Sequence, residues 1–279
     1  MIINGKTFDE ERALYGLRGA EVSHCVFDGP ADGESAFKET ADLTVTDCTC
    51  RLRYPFWHMK NSTISRTEMT ETCRAALWYD EDLTIADSLL HGIKALRECD
   101  RTVLTGCDIV SAEFGWKCRD LQVRRCTLTS EYPFFECRDM DVEHLTMKGK
   151  YSFQYAENVV IRDSHLDTKD AFWHGKNVTV TDSVVKGEYL GWYGENLRFV
   201  RCRIIGTQPL CYCKGLVLED CVMEETDLSF ENSEVTADVR GHILGVKNPA
   251  SGVIVADSIG DILMDEYARP GSVEIRCRT

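Results

Sequence analysis

Apolar and polar residues alternate over short stretches of this chain, and the alternation returns at a constant interval. In LTVTDCTC (43–50), apolar side chains occupy every second position up to an Asp, after which the phase changes. The plan recurs in LTIADSLL (83–90), LQVRRCTL (121–128), VVIRDSHL (159–166), VTVTDSVV (178–185), LRFVRCRI (197–204) and LVLEDCVM (216–223). Period-two alternation predicts a short strand, and the phase change predicts a corner followed by a second short strand.

One column of mostly small residues marks this corner: Cys48, Thr67, Ser88, Cys107, Cys126, Leu145, Ser164, Ser183, Cys202, Cys221 and, weakly, Arg240. Its steps are 19 residues long, except for 21 between Thr67 and Ser88, which predicts a small insertion in one turn. Coils of constant length without hairpin signals predict a parallel solenoid of about eleven coils. A sandwich or barrel of short strands is the alternative, but it would not keep so strict a register.

The segments RYPFWH (53–58), TCRAALWY (72–79), GIKALREC (92–99) and GEYLGWYGEN (187–196) carry a resemblance over essentially the whole chain. They resemble the right-handed parallel β-helix of the pectin-lyase-like superfamily, and within it an uncharacterised bacterial branch, a domain of unknown function. The resemblance implies an all-β, right-handed parallel β-helix. It implies no activity, because the branch itself carries none.

The domain prediction is a single β-helix over residues 1–279. Residues 1–42 are expected to form an N-terminal cap and first coil, 43–247 the regular coils, and 248–279 a C-terminal cap. Asp9 is a candidate N-cap for a short helix in FDEERALYGL. NPASG (248–252) breaks the phase, and the tail after it is expected to supply one or two irregular strands.

A third strand in each coil is expected to carry the aromatic residues. All five Trp share one column with Arg97, and we place this column inside, with Arg97 on a Trp face. The alternative is the reverse phase, because Arg97 and Gln154 are unfavourable inside. Asn158, Asn177 and Asn196 form a column in the turn that follows, where stacked amides can hydrogen-bond between coils. The candidate binding residues on the outer face are His58, Tyr79, Tyr132, Tyr151, Tyr155, Tyr189, Tyr193 and Tyr212, flanked by Phe134, Phe153 and Phe172.

Candidate catalytic residues lie on the same face. Glu98, Lys117 and Glu136 fall in consecutive coils, so that the two carboxylates are expected about 9.6 Å apart, near the separation found in inverting glycosidases. Glu113 forms a second opposite-charge pair with Lys94. A salt-bridge ladder between coils is the interpretation we favour for both pairs. Asp170 with His174 is a separate acid–base candidate, although direct contact is doubtful at four residues apart on a strand.

The composition of the chain indicates which classes of binding partner are unfavourable. The net charge of −14 argues against nucleic acid and anionic membrane surfaces, and no apolar run reaches membrane-spanning length. The N-terminus does not read as a signal peptide, and 14 Cys read as reduced thiols, so a cytoplasmic location is expected. The columns Cys99, Cys118, Cys137 and the pair Cys211, Cys213 are interpreted as inward packing rather than zinc ligands. No metal and no cofactor is predicted.

Two functions remain open on these patterns. The first is a carbohydrate-binding or carbohydrate-active protein, with glycoside hydrolase or polysaccharide lyase-like activity and an oligosaccharide as partner. The second is a non-catalytic scaffold that docks a protein or forms a homo-oligomer.

Overall fold

The structure is a computed structural model that describes residues 1–29, 34–268 and 273–278. The elements in these residues are β-strands, and none is a helix. The strands are β1 (Ile2–Asn4), β2 (Thr7–Phe8), β3 (Arg18–Ser23), β4 (Val26–Phe27), β5 (Ala41–Thr46), β6 (Thr49–Cys50), β7 (Phe56–Trp57), β8 (Lys60–Ser65), β9 (Glu68–Met69), β10 (Leu77–Trp78), β11 (Glu81–Ala86), β12 (Leu89–Leu90), β13 (Leu96–Arg97), β14 (Asp100–Thr105), β15 (Asp108–Val110), β16 (Glu113–Phe114), β17 (Arg119–Arg124), β18 (Thr127–Ser130), β19 (Tyr132–Pro133), β20 (Arg138–Glu143), β21 (Thr146–Gly149), β22 (Glu157–Arg162), β23 (His165–Asp167), β24 (Lys176–Thr181), β25 (Val184–Lys186), β26 (Glu195–Val200), β27 (Arg203–Ile205), β28 (Leu216–Glu224), β29 (Glu234–Arg240), β30 (His242–Lys247), β31 (Ser251–Ala256), β32 (Ser258–Leu263) and β33 (Val273–Cys277).

These strands build an all-β parallel solenoid of about 14 turns, which confirms the predicted fold class. The chain divides into two compact units, Met1–Asp141 and Val142–Thr279, and each is described by itself below. The domain boundaries proposed from the sequence stay a prediction.

In the first unit, the long strands β3, β5, β8, β11, β14 and β17 pair in parallel, each with the next. Their third and fifth residues are buried in every coil, as the period-two pattern predicts. The phenyl rings of Phe27, Phe37 and Phe56 follow one another inside the coils, with ring centroids 4.7 and 4.8 Å apart. Aromatic packing therefore continues from coil to coil in the core.

The second unit repeats this arrangement with β22, β24, β26, β28, β29, β31 and β33. The short strands β21, β23, β25 and β27 form a second parallel ladder beside the first. Asn177 Nδ2 donates to Asn158 Oδ1, and Asn196 Nδ2 donates to Asn177 Oδ1, each over 3.0 Å. The predicted amide ladder is confirmed.

The Cys/Ser/Thr column has a hydrogen-bonding role at the corner. In the second unit the Ser164 N–H donates to Ser183 Oγ over 3.0 Å, and Ser183 Oγ donates to the Thr181 carbonyl over 2.7 Å. In the first unit Thr67 N–H donates to Ser88 Oγ in the same way. The backbone N–H at the corner has no partner in the strand ladders, and a small side chain with an acceptor atom supplies one. Arg240 does not belong to this column, because a bulge between Leu218 and Cys221 pairs Cys221 with Val239.

The helix predicted after Asp9 is wrong: residues 11–16 form turns. Their N–H groups bond to another coil, since Arg12 N–H donates to the Glu34 carbonyl and Leu14 N–H to the Ala36 carbonyl. Arg12 and Gly16 have φ values of 55° and 68°, which an α-helix does not contain. These backbone N–H groups therefore donate to carbonyl groups of another coil instead of forming the hydrogen bonds of a helix.

The structure has about 14 turns, whereas the repeat in the sequence predicts about eleven coils. The additional turns lie at both ends of the chain, where β1 pairs with β3 and β31 pairs with β29 and β33. The repeat is not visible in the sequence there, because the length of the coils varies. The predicted C-terminal tail of one or two irregular strands is therefore wrong, because β31, β32 and β33 all pair in parallel. The stretch 30–33 of the predicted N-terminal insertion lies outside the described residues.

The cysteines are free thiols, of which Cys277 is exposed and the other thirteen are buried. Burial raises the pKa of Cys211 and of Cys213 to about 12, so both thiols are protonated at neutral pH. This supports the packing interpretation of the Cys columns. Of the residues that the structure describes, none lies in a helix long and apolar enough to cross a membrane.

Candidate functional site

The third side of each coil is where both the Trp column and the Tyr/His column reach the surface. We predicted Trp57, Trp173 and the other Trp inside, but all five are partly exposed. The cause is the backbone of the next residue, because His58, Tyr79, His174 and Tyr193 have φ values from 52° to 62°. Left-handed residues break the alternation of a strand, so two neighbouring side chains point outward.

In the second unit, four rings of the outer column form a continuous stack, which we call the ring ladder: Tyr155, His174, Tyr193 and Tyr212. Successive centroids lie 4.9, 5.1 and 4.8 Å apart, and the ring planes differ by 9° to 11°. Tyr155 and Tyr193 are 49% and 44% exposed. Such a stack covers the faces of its inner rings and leaves the rims, with hydroxyl and imidazole groups, as the accessible part.

The Trp column behind the ring ladder holds the coils together. Trp173 Nε1 donates to the Tyr189 carbonyl over 2.9 Å, and Trp192 Nε1 donates to the Gln208 carbonyl over 2.8 Å. Gln154 makes the equivalent bond to the Asp170 carbonyl with its amide N–H. In three consecutive coils, at Gln154, Trp173 and Trp192, this column therefore supplies a long side chain with an N–H donor. Sequence reasoning missed it, although Gln154 among the Trp residues was its signal.

The outer column of the first unit begins with a shorter stack, His58 on Tyr79, with ring centroids 5.1 Å apart. Behind it, Arg97 lies over the rings of Trp78 and Trp116, with Cζ 5.1 and 5.7 Å from their centroids. The predicted placement of Arg97 on a Trp face is confirmed. Beyond Tyr79 the outer column carries charges instead of rings.

These charges are the predicted catalytic residues, and they form ion pairs. Lys117 Nζ lies 3.7 Å from Glu136 Oε2, and Lys94 Nζ lies 3.5 Å from Glu113 Oε2. Glu98 pairs with Arg97 at 3.1 Å. The Lys117–Glu136 and Lys94–Glu113 contacts agree with the salt-bridge ladder between coils that we favoured, whereas Glu98 pairs within its own coil. A catalytic role for Glu98, Glu136, Lys117 or Glu113 stays a prediction.

Asp170 and His174 lie in one coil of the second unit, but no hydrogen bond joins their two described side chains. His174 stacks between Tyr155 and Tyr193. Asp170 was placed on the outer face, whereas it is only 7% exposed. Burial, followed by the negative charge of Glu188, raises the pKa of Asp170, and Lys169 opposes the shift. An acid–base function for the pair is not supported by this geometry.

The three Phe residues predicted to flank the binding face are core residues. Phe134, Phe153 and Phe172 are 0% exposed. Their φ values of 61°, 55° and 61° turn the side chains inward, against the strand alternation on which the prediction depended. They cannot contact a ligand on the surface.

The other predicted Tyr residues lie beside the Trp column. Tyr132 is exposed and its ring packs edge-on to Trp116 at 6.5 Å. Tyr189 packs edge-on to Trp192 at 5.4 Å, and Lys169 Nζ lies 5.4 Å from its ring centroid. Tyr151 is half-buried in a left-handed turn. These rings border the outer column of their own unit rather than extend its stack.

A cluster with metal-ligand spacing lies elsewhere in the second unit. One ligand atom from each of Glu143, His144 and Asp163 falls within 4.8 Å of the others. His144 and Asp163 are exposed at a corner, where ion pairs between coils are frequent, as Arg201 with Asp182 shows at 2.7 Å. The cluster is compatible with such pairing, and it is separate from the ring ladder residues.

Residues 1–276 match the model of a family described as "Protein of unknown function (DUF3737)". The chain belongs to this family. The predicted resemblance to an uncharacterised branch of the parallel β-helix proteins is thereby confirmed. Among curated proteins, no sequence matches the DUF3737 chain.

Several solved structures of low identity match the chain, with TM-scores below 0.5. The mannuronan C-5 epimerase AlgE6 A-module of Azotobacter vinelandii is 11% identical, with a TM-score of 0.41, and the match covers 100% of this chain and 91% of that one. The catalytic domain of a GH87 alpha-1,3-glucanase is 10% identical, with a TM-score of 0.39, over 98% of this chain and 63% of that one. The Streptococcus pneumoniae surface protein and adhesin PfbA is 8% identical, with a TM-score of 0.34, over 94% and 91%. Likenesses at this level carry no argument about what the DUF3737 chain binds.

Proposed function

We propose that the second unit binds a neutral oligosaccharide along the rims of the ring ladder. The observation that carries the proposal is the continuous stack of Tyr155, His174, Tyr193 and Tyr212 at about 5 Å per ring. It presents rigid hydrogen-bonding groups in a row on an exposed surface. Tyr is well suited to such contacts, because its large ring loses little conformational entropy on binding.

The mode of contact differs from the one that aromatic side chains usually offer to sugars. A sugar that packs on an aromatic face needs that face open, and the neighbouring rings of the stack occupy the faces of His174 and Tyr193. The hydroxyl of Tyr193 and the imidazole nitrogens of His174 lie at the rims. They donate and accept hydrogen bonds, which sugar hydroxyls require.

The charge around the ladder favours a neutral ligand. Lys247 Nζ pairs with Glu231 Oε1 at 2.8 Å, and Lys176 Nζ pairs with Glu195 Oε2 at 3.5 Å. These cations are already matched, and the whole chain has a net charge of −14. Burial and the neighbouring Glu231 raise the pKa of Tyr212, so that its hydroxyl stays protonated. An acidic glycan would meet more repulsion than attraction here.

The test is to remove the hydroxyls while the rings remain. Tyr155→Phe, Tyr193→Phe and Tyr212→Phe combined in one variant keep an aromatic stack but lose three rim groups. We expect binding to neutral glycans on an array to fall by about tenfold or more, because each hydrogen bond to a neutral partner contributes about 1 kcal/mol. Tyr267→Phe is the matched control, since Tyr267 is 71% exposed and lies outside the ladder. Absence of glycan binding by the native protein, or full binding by the triple variant, contradicts the proposal.

A carbohydrate-active enzyme requires turnover as well as binding. The carboxylates predicted for it, Glu98 and Glu136, lie in the first unit and pair with Arg97 and Lys117. We therefore propose binding as the function, and incubation of the bound glycan with the native protein tests whether hydrolysis or elimination follows.

Self-association is the second candidate function, and exposed apolar residues favour it. Leu244, Ile262, Leu263 and Met264 are 44% to 51% exposed near the C-terminal strands. Apolar groups in such numbers are frequent at interfaces between proteins. Light scattering after size-exclusion chromatography separates the two candidates: a monomer favours the glycan proposal, and a stable oligomer that blocks the ladder favours a scaffold. A reducing, cytoplasmic location stays our proposal for either, supported by the free cysteines.

A further inference from the structure

The first position of each long strand in the first unit carries a ladder of charges. The strand register places Arg18, Ala41, Lys60, Glu81, Asp100 and Arg119 in one column. Opposite charges pair along it: Lys60 Nζ lies 3.1 Å from Glu81 Oε1, and Arg119 Nη2 lies 2.7 Å from Asp100 Oδ2. One rung of this column has no charge, since Ala41 stands between two cations.

Ala41 leaves a notch in the surface. Its methyl group lies between the long side chains of Arg18 and Lys60, and the resulting cleft has a volume of about 290 Å³. Within the described part of the chain, no carboxylate lies within ion-pair distance of Arg18. An Asp or Glu at position 41 would have neutralised it, as Glu81 and Asp100 do for their own neighbours.

The remaining walls of the cleft are polar. They are formed by Glu39, Thr40 and His58. Glu39 Oε2 accepts a hydrogen bond from the Tyr15 hydroxyl over 2.8 Å, and this bond is the main cause that raises the pKa of Tyr15. Glu39 is the one carboxylate among the residues that line the cleft, and the cations Arg18 and Lys60 line it as well; Lys60 also pairs with Glu81.

We propose that this notch binds a small oxyanion, a carboxylate or phosphate group of a soluble ligand, which takes the place of the acidic side chain missing at position 41. Adjacent strands are about 4.8 Å apart, so an oxyanion above Ala41 lies one strand from Arg18 and one from Lys60. Guanidinium groups bind such oxygens in pairs, and Lys60 adds a point charge. The site is independent of the ring ladder.

The experiment measures thermal unfolding and titration calorimetry with inorganic phosphate and with succinate, each against NaCl of equal ionic strength. Specific binding to the folded protein raises the melting temperature with ligand concentration. In Ala41→Glu the new carboxylate occupies the notch, and we expect the response to disappear. Thr63→Glu is the matched control: it adds the same charge on an exposed position of β8, outside the cleft lining, and is expected to retain the response.

Arg18→Gln gives a second and milder variant, because Arg18 is exposed and its loss does not threaten folding. We expect the affinity to fall by about tenfold or more, as for the loss of a bidentate charged contact. A response to phosphate alone, to succinate alone or to both identifies the oxyanion that the notch accepts. No response of the native protein to either probe overturns the proposal, and so does an Ala41→Glu variant that responds like Thr63→Glu.

Discussion

The third side of the coil has two different backbones, an extended one in the early coils of the first unit and a left-handed one in the later coils of that unit and in the second unit. In Met1–Asp141 its first inward column starts extended, with Phe56, Leu77 and Leu96 paired in the strands β7, β10 and β13, and becomes left-handed at Gly115 and Phe134, with φ values of 70° and 61°. In Val142–Thr279 the same column is left-handed, with φ values of 55° to 72° at Phe153, Phe172, Gly191 and Leu210. Both versions bury the column completely. The fold therefore requires the apolar side chain at this position and leaves the backbone conformation open.

The outer column has the same backbone conformation in the two units but different side chains. Its residues are left-handed in both units, as Tyr79 and Tyr193 show with φ values of 62° and 59°. The second unit fills it with four stacked rings, whereas the first places only His58 and Tyr79 there before the charges begin. Along the outer column, four stacked rings thus join coils in the second unit, whereas in the first unit a short ring stack is followed by ion pairs.

The largest expected effects come from the inward column. Leu77 and Leu210 are both 0% exposed, but only Leu210 is left-handed, with φ of 60°. Replacement of either by Ala is expected to lower the free energy of unfolding by about 2–5 kcal/mol. The Gly variants should then diverge. Leu77→Gly loses about 0.5–1 kcal/mol more than Leu77→Ala, whereas Leu210→Gly is more stable than Leu210→Ala by about 1 kcal/mol.

Denaturant unfolding of the four variants measures these differences. Each Ala variant is the control for the Gly variant at the same position, because the cavity is nearly the same. If glycine is worse than alanine at both positions, the left-handed backbone at Leu210 is wrong, and with it the contrast between the extended and left-handed parts of the column.

The next largest effect on stability is expected at Asp80 in the first unit. Asp80 belongs to a buried column of the coil, which in the second unit contains Gly194 and Cys213. Asp80 is 0% exposed and accepts the Met59 N–H over 2.7 Å. Burial raises the pKa of its carboxyl well above the usual range. The neutral acid is therefore the form that the fold prefers, and stability is lost as the pH rises from the pKa of the unfolded chain, about 4, toward the raised one.

Asp80→Asn keeps the acceptor for Met59 and removes the titration. We expect it to raise the free energy of unfolding at pH 7, because the buried carboxylate is removed, with the gain shrinking toward pH 4. Asp82→Asn is the matched control. Its hydrogen bond to Arg101 lowers the pKa of Asp82, so this variant loses stability above pH 4 instead. Equal pH profiles for Asp80→Asn and the native protein would show that Asp80 is not a buried acid.

A smaller effect distinguishes hydrogen bonding from stacking in the Trp column. Trp116 Nε1 donates to the Tyr132 carbonyl over 2.7 Å in the first unit, as Trp192 does to Gln208 in the second. Trp116→Phe and Trp192→Phe keep a ring and lose the donor. We expect each to cost about 1 kcal/mol of unfolding free energy. A loss in one unit alone would mean that the column joins coils in only that unit.

The coils could be predicted from the sequence because the same positions are buried in each coil, so that apolar residues recur every 19 residues. The corner column, the amide ladder from Asn158 to Asn196 and the position of Arg97 all follow from the 19-residue step. The left-handed residues could not be predicted, since Phe172 and His174 adopt φ values that β-propensity gives no reason to expect. This is why the Phe residues were placed outside and the Trp residues inside. The 19-residue step predicted which residues form the ring ladder, but its exposed rims and covered faces depend on that backbone.

The smallest effect separates the two interpretations of the charged part of the outer column. Glu136 is exposed and pairs with Lys117 at 3.7 Å, in the unit that lacks the long ring stack. Glu136→Gln is expected to change the free energy of unfolding by less than about 1 kcal/mol, because an exposed ion pair contributes little and salt screens it. The change should vanish at high salt. His174→Ala in the ring ladder is the comparison, since loss of a stacked ring is expected to cost about 1 kcal/mol whatever the salt concentration. If Glu136→Gln instead abolishes turnover of a glycan while unfolding is unchanged, the charges of the first unit are a catalytic site, and the ion pairs hold its carboxylates in place rather than join its coils.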